Sequence, residues 1–185
     1  MFRIKIIFVA LILLFSFIIA ENKLWNREVN VKNSTYPPKY IFKGDTFLLN
    51  TTFSNSRFTG EMANFSNAQF KADKINFYNT KFSGENTSFI GTEFTGDSTI
   101  FNNSDFISRI TDFWSAKFSG DITNFTNVKF KGDSIDFVDT EFSSDNIVFN
   151  NTKFFCKLTN FEDAVFSGKV ANFVISDFSG DITRV

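Results

Sequence analysis

The spacing of phenylalanine is the feature that most constrains what this chain can fold into. From Phe53 to Phe178, with Phe155 left aside, the gaps between successive Phe residues alternate between five and seven without a break. The pattern therefore repeats at every twelfth position with two Phe per repeat, and a fixed period of this kind predicts a repeat architecture. The series consists of Phe53, Phe58, Phe65, Phe70, Phe77, Phe82, Phe89, Phe94, Phe101, Phe106, Phe113, Phe118, Phe125, Phe130, Phe137, Phe142, Phe149, Phe154, Phe161, Phe166, Phe173 and Phe178.

The residues around each Phe predict two short strands in every repeat. A small or β-branched residue stands two positions before the Phe, and a polar or charged residue lies between them, as in Ala116-Lys117-Phe118. This alternation with a period of two indicates a strand with one small and one large inward side chain. Asn follows the first Phe of most repeats, and Gly with Asp or Glu follows the second. Asn and Gly tolerate positive φ, so they predict tight corners.

A short strand that carries a single inward Phe cannot bury that ring by itself. Winding the chain so that equivalent strands stack about 4.8 Å apart places Phe on Phe. The sequence therefore predicts an all-β solenoid with internal Phe ladders, each ladder being a column of equivalent side chains in successive coils. A helix is disfavoured because gaps of five and seven do not sustain a 3.6-residue period. A β-sandwich, the weaker alternative, would not need identical spacing in every strand.

Several repeats carry a recognisable five-residue motif. Ala63-Asn64-Phe65-Ser66-Asn67 and Thr123-Asn124-Phe125-Thr126-Asn127 follow the pattern Ala-Asp/Asn-Leu/Phe-x-x, and the chain resembles the pentapeptide-repeat family over about residues 41–185. The resemblance implies a right-handed, quadrilateral β-helix in which the central Phe and the small residue two before it point inward. The chain departs from the family pattern by two extra residues at every second corner. Four faces would then take two repeats per coil, and a narrow two-sided coil made of a single repeat stays open as an alternative.

The first 20 residues have the layout of a secretory signal peptide. Arg3 and Lys5 precede an apolar run that ends at Ile19, and Ala20 offers a small residue for cleavage. An uncleaved N-terminal anchor is the alternative. The expected organisation is a leader over 1–20, an N-terminal cap or linker over 21–40, and the solenoid over 41–185. The protein is accordingly expected to be secreted or extracytoplasmic, and anchored at the surface if the leader is retained.

Composition argues against catalysis. The chain has no His and one Cys, so it cannot build a Cys/His zinc site, a disulfide framework or a His general base. Cys156 stands in a corner column where Gly is usual, and no His is present to activate it. The formal net charge of −1 gives no electrostatic footprint for nucleic acid. We expect no catalytic residues, no cofactor and no metal.

Outward features allow weaker alternatives. The acidic column that follows the corner Gly could form a Ca²⁺ ladder, but Arg109, Lys157 and Lys169 interrupt it and solvated turns are the favoured interpretation. Ice binding would need an outward Thr array, whereas most Thr residues fall in inward columns. Glycosylation sequons, usable in a host with that machinery, occur at Asn33, Asn50, Asn64, Asn86, Asn102, Asn124 and Asn150.

The favoured function is a non-catalytic, secreted or cell-surface solenoid that binds a protein or a glycan. The alternative comes from the resemblance, because some pentapeptide-repeat proteins mimic DNA and bind topoisomerases inside the cell. No nucleic-acid partner is expected, and membrane contact is expected only through an uncleaved leader. The last coil carries no polar cap, and open strand edges invite pairing, so an end-to-end homodimer through the C-terminal coil is a further expectation.

Overall fold

The computed structural model describes residues 22–36 and 39–185, so the leader expected over residues 1–20 lies outside the described residues. The described chain forms short β-strands joined by tight corners. No described segment is a helix with the length and hydrophobicity of a membrane span. The strands are β1 (Leu24–Trp25), β2 (Val29–Asn30), β3 (Thr35–Tyr36), β4 (Lys39–Ile41), β5 (Thr46–Phe47), β6 (Thr51–Thr52), β7 (Arg57–Asn64), β8 (Gln69–Phe70), β9 (Lys74–Asn76), β10 (Lys81–Ser88), β11 (Glu93–Phe94), β12 (Ser98–Ile100), β13 (Asp105–Phe106), β14 (Ile110–Asp112), β15 (Lys117–Phe118), β16 (Ile122–Asn124), β17 (Lys129–Phe130), β18 (Ser134–Asp136), β19 (Glu141–Phe142), β20 (Asn146–Val148), β21 (Lys153–Phe154), β22 (Leu158–Asn160), β23 (Val165–Phe166), β24 (Val170–Asn172) and β25 (Ile182–Arg184).

The strands stack into parallel sheets along one axis. One seven-stranded sheet runs β1-β5-β8-β11-β15-β19-β23, and a second runs β2-β6-β9-β12-β16-β20-β24. The third sheet has 11 strands in two side-by-side stacks, which the eight-residue strands β7 and β10 join. Each full coil therefore contributes strands to four stacks. The chain is an all-β solenoid of about six turns, as the Phe spacing predicts.

The pairing register settles the length of a coil. Phe82 of β10 pairs with Phe106 of β13, and Thr99 of β12 pairs with Thr123 of β16, so equivalent residues lie 24 positions apart. The two-sided alternative would have paired residues 12 positions apart. Two repeats of the sequence pattern thus make one coil, and successive repeats occupy opposite sides of the solenoid.

The first coils are shorter than the others. Trp25 pairs with Phe47, which lies 22 positions further along the chain, and Phe47 pairs with Phe70, which lies 23 positions further. Strands β1 to β3 pair with β5, β6 and β7, so residues 22–36, expected to form a cap or linker, wind into the first coil. The shortened coils explain why Phe42 and Phe47 fall outside the regular Phe series although both are buried.

Four aromatic ladders fill the interior. Within a ladder the rings stack nearly parallel, as in Phe101 on Phe125 and Phe125 on Phe149, with centroids 4.8 Å apart in both pairs. Rings of neighbouring ladders meet edge to face, as Phe89 does with Phe101. Trp25 and Tyr36 begin two of the ladders by stacking on Phe47 and Phe58. The four ladders are Trp25-Phe47-Phe70-Phe94-Phe118-Phe142-Phe166, Phe53-Phe77-Phe101-Phe125-Phe149-Phe173, Tyr36-Phe58-Phe82-Phe106-Phe130-Phe154-Phe178 and Phe42-Phe65-Phe89-Phe113-Phe137-Phe161.

The corners use the backbone conformations that their residues favour. Asn55 and Asn127 have φ of 58° and 60°, in the left-handed region that Asn adopts readily. Gly120 has φ of 113°, which L side chains rarely adopt, and a Cβ there would overlap the carbonyl oxygen of Gly96 in the preceding coil. Asn and Gly at the corners therefore allow successive coils to stack as closely as the ladders require.

Many buried hydroxyl groups find partners in an adjacent coil. The Thr140 hydroxyl donates to the Phe113 carbonyl oxygen at 2.8 Å, and the Thr152 hydroxyl donates to that of Phe125 at 2.7 Å. In a second inward column the hydroxyls of Thr123 and Ser144 lie 2.7 Å apart. The inward polar side chains thus tie consecutive coils together, because a buried hydroxyl is costly unless it is hydrogen-bonded.

Candidate binding surface

One outward column carries charges of alternating sign. Glu85, Arg109, Asp133 and Lys157 occupy equivalent positions in successive coils. Arg109 Nε lies 2.8 Å from Glu85 Oε2, and Lys157 Nζ lies 2.7 Å from Asp133 Oδ1. The hydrogen bond to Glu85 raises the pKa of Arg109, and the hydrogen bond from Lys157 lowers the pKa of Asp133. The charges of this column therefore neutralise one another.

The opposite column is more acidic. Asp73, Asp97, Asp121 and Asp145 take the equivalent corner position on the other side of the solenoid, and Lys169 pairs with Asp145 at 2.6 Å. Because each coil holds two repeats, the single acidic column of the sequence is divided between two different columns. Among the described residues, no group of three carboxylate, thiol or imidazole side chains could hold a metal ion.

A second corner carries a row of Asn side chains above a shallow groove. The amides of Asn127 and Asn151 donate to the side-chain oxygens of Asn103 and Asn127 at 2.9 and 2.8 Å. The groove has a volume of about 310 Å³, and Lys129 and Lys153 also line it. Lys129 Nζ lies 3.7 Å from Asp105 Oδ1. The groove therefore offers amide and ammonium donors along the axis.

Trp114 is a large aromatic side chain on the outer surface, with 47% of its area exposed. It stands at the corner between β14 and β15. Asp112 Oδ1 accepts a hydrogen bond from the Trp114 backbone amide at 2.8 Å, and Asp139 Oδ2 accepts one from the indole Nε1 at 2.9 Å. Aromatic side chains of this kind commonly anchor protein and ligand interfaces. Reasoning from the sequence missed Trp114, although a Trp directly after an inward Phe must face outward and was a usable signal.

The sequon residues differ in their surroundings. Asn33 and Asn50 are exposed, whereas Asn64 is 9% exposed and its side-chain oxygen accepts the Ser66 backbone amide. The side-chain oxygens of Asn50, Asn124 and Asn150 also accept backbone amides. The remaining two, Asn86 and Asn102, are half-buried. Asn33 and Asn50 are therefore the most accessible of the seven sequon residues.

Cys156 is a buried residue of the corner column, with 2% of its area exposed. Burial raises the pKa of its thiol to about 12, and the charge of Asp133 adds to the effect. Because the thiolate is the reactive form, Cys156 has the environment of a structural residue.

Comparisons with protein-family models, with curated proteins and with solved structures return no match for this chain.

Proposed function

We propose that the protein is a non-catalytic, exported rod that binds another macromolecule, a protein or a glycan, through its outer columns. The observation that carries the proposal is the difference between the interior of the solenoid and its outer surface. Aromatic ladders fill the interior with one repeated side chain, and chemical variety is concentrated in the outward columns. Solenoids commonly present extended binding surfaces of this kind. The leader-like residues 1–20 add the expectation of export.

We further propose that the chain is a variant of the pentapeptide-repeat fold. The motif residues of two representative repeats, Phe65 and Phe125, are both fully buried, and small or β-branched residues occupy the inward position two before each of them. The family coil consists of four pentapeptides, and the longer coil of this chain, with two extra residues at every second corner, is the feature that sets it apart.

A DNA-mimicking function is the second candidate, and one observation favours it: the column of Asp73, Asp97, Asp121 and Asp145 repeats a negative charge once per coil. Mimicry of DNA needs a strongly anionic face. Lys169 occupies the next position of this column and pairs with Asp145, which reduces the negative charge. The charges of the column on the opposite side alternate in sign. The charge distribution therefore supports the exported rod better.

Export is the direct test of the proposed function. In cells with a secretory pathway we expect the full chain outside the cytosol, with Glu21 as the new N-terminus if the leader is cleaved. Cell fractionation and N-terminal sequencing measure both points. A variant that lacks residues 1–20 is the matched control and should stay in the cytosol. Recovery of the full chain from the cytosol would contradict the proposal.

We also propose that the last coil mediates an end-to-end contact between two copies. Two ladders end there on uncovered rings, with Phe166 36% exposed and Phe178 38% exposed, whereas Phe142 and Phe154 one coil earlier are fully buried. Covering apolar surface and pairing strand edges would both favour association. Light scattering at micromolar concentration should give the mass of a dimer, and Phe166→Lys with Phe178→Lys, which places charge on the end of the last coil, should shift it to that of a monomer. A monomer without these substitutions would overturn the proposal.

A further inference from the structure

Trp114 lies in the middle of an apolar row on the outer surface. Ile90 and Val138 take the same corner position in the coils before and after it, and backbone hydrogen bonds join these corners from coil to coil. We call this row, together with Asp112, Asp136 and Asp139, the Trp114 patch. An exposed Trp bordered by aliphatic side chains is typical of an interaction site.

The indole is held in place before any partner arrives. Asp112 accepts the backbone amide of Trp114, and Asp139, one coil further along, accepts the indole Nε1. A side chain that is already ordered loses little conformational freedom on binding, so less free energy is spent on ordering it. The Trp114 patch is thus preorganised.

The patch is also rich in negative charge. Asp112 and Asp136 face each other in register between β14 and β18, and Asp136 Oδ1 accepts the Val138 backbone amide at 2.8 Å. In the described part of the chain, neither carboxylate forms an ion pair, whereas Lys117 and Glu141 pair at 3.0 Å on the neighbouring face. Burial, with the charge of Asp136 as a smaller cause, raises the pKa of Asp112. A cation would stabilise both carboxylates in their ionised form.

Trp25, the other Trp of the chain, also donates its indole N–H to a carboxylate, and its surroundings show which group binds next to such a pair. The indole Nε1 of Trp25 donates to Asp45 at 2.8 Å, just as that of Trp114 donates to Asp139. Lys23 Nζ lies over the Trp25 ring, 4.0 Å from its centroid. Cations are attracted to the face of an indole ring. Among the described residues, no cation lies over Trp114, although nearly half of its area is exposed.

We propose that the Trp114 patch binds a Lys or Arg side chain of a basic segment on a partner protein. The cation lies over the indole face and between the carboxylates of Asp112 and Asp136, and the apolar stem of the same side chain packs on Ile90 or Val138. The inference rests on the proposed function, because it names the partner chemistry of an outward column.

A hexa-arginine peptide is the probe for the first test. In a Trp25→Phe background Trp114 is the sole Trp, and its fluorescence should change saturably as the purified protein is titrated with the peptide. Calorimetric titration should show affinity at least tenfold weaker for Trp114→Ala and for Asp112→Asn with Asp136→Asn. Trp114→Phe keeps an aromatic face but loses the hydrogen bond to Asp139, so its affinity should lie between those of the parent protein and Trp114→Ala.

Matched controls separate the patch from general attraction between charges. Asp97→Asn with Asp121→Asn removes the same charge from a column without an aromatic residue, and Tyr78→Ala removes an exposed aromatic ring elsewhere. Both variants should bind within twofold of the parent protein. Absence of saturable binding, or an equal loss in the Asp97 and Asp121 variant, would overturn the inference. The export assay is independent, so failure here would leave the proposed function standing.

Discussion

Replacing Phe125 by Ala is expected to lower the free energy of unfolding by about 3–5 kcal/mol. The Phe125 ring is fully buried, and it stacks between Phe101 and Phe149 with both centroid distances at 4.8 Å. Coils above and below are tied by backbone hydrogen bonds, so they cannot collapse to fill the space. The substitution therefore loses the transfer free energy of the ring and leaves a cavity. Phe118→Ala, in a neighbouring ladder, should behave in the same way.

Phe155→Ala is the matched control for this prediction. Phe155 falls outside the regular Phe series, and 41% of its area is exposed. Its loss should cost less than about 1 kcal/mol, since surface substitutions have small effects. Urea denaturation followed by Trp fluorescence measures all three variants, because Trp114 lies in the same coil as Phe118 and Phe125. A loss below about 1 kcal/mol for Phe125→Ala would mean that the ladders do not hold the fold together.

Thr140→Val is expected to cost about 0.5–1.5 kcal/mol, because it removes one of the two hydrogen bonds that the Phe113 carbonyl oxygen accepts, the other coming from the Ala116 backbone amide at 2.9 Å. The Thr140 hydroxyl is fully buried and donates to the Phe113 carbonyl oxygen at 2.8 Å. Valine has nearly the same shape, so the substitution removes the hydrogen bond with little change in packing. Equilibrium urea denaturation measures the difference.

Thr99→Val provides the opposite expectation at a site of equal burial. Thr99 is also fully buried, but its hydroxyl oxygen has no hydrogen-bond partner among the residues that the structure describes. The Thr123 hydroxyl bonds Ser144, whereas the position equivalent to Ser144 is Gly120 for Thr99. Removing an unsatisfied hydroxyl should be neutral or stabilising. Equal losses at Thr99 and Thr140 would contradict the role given to the inward hydroxyls.

Much of the fold could be predicted from the sequence because the same short strand motif, with one small and one large inward side chain, recurs around each ladder residue. Period-two alternation identified the strands, and Asn at the corners has the positive φ expected of it. The membership of Phe42 and Phe47 in the ladders was not predicted. Their spacing to Phe65 and Phe70 is one residue short, and a search for a strict period discards such residues.

The candidate site could be predicted much less well. Taken one repeat at a time, the acidic column is one row interrupted by Arg109, Lys157 and Lys169. Taken with two repeats per coil, it becomes an alternating column and an acidic one. Which outward side chains are neighbours depends on the coil length. The pairing of Trp114 with Asp139 between adjacent coils is a consequence of that length.

The sequence by itself determined the all-β solenoid and its Phe interior, because burying a Phe on every short strand requires equivalent strands to stack. Only the tertiary structure decided whether a coil holds one repeat or two, since both arrangements place Phe on Phe. The tertiary structure also decided which surface residues meet. Backbone hydrogen bonds between coils set that register, and the outward side chains follow the register without determining it.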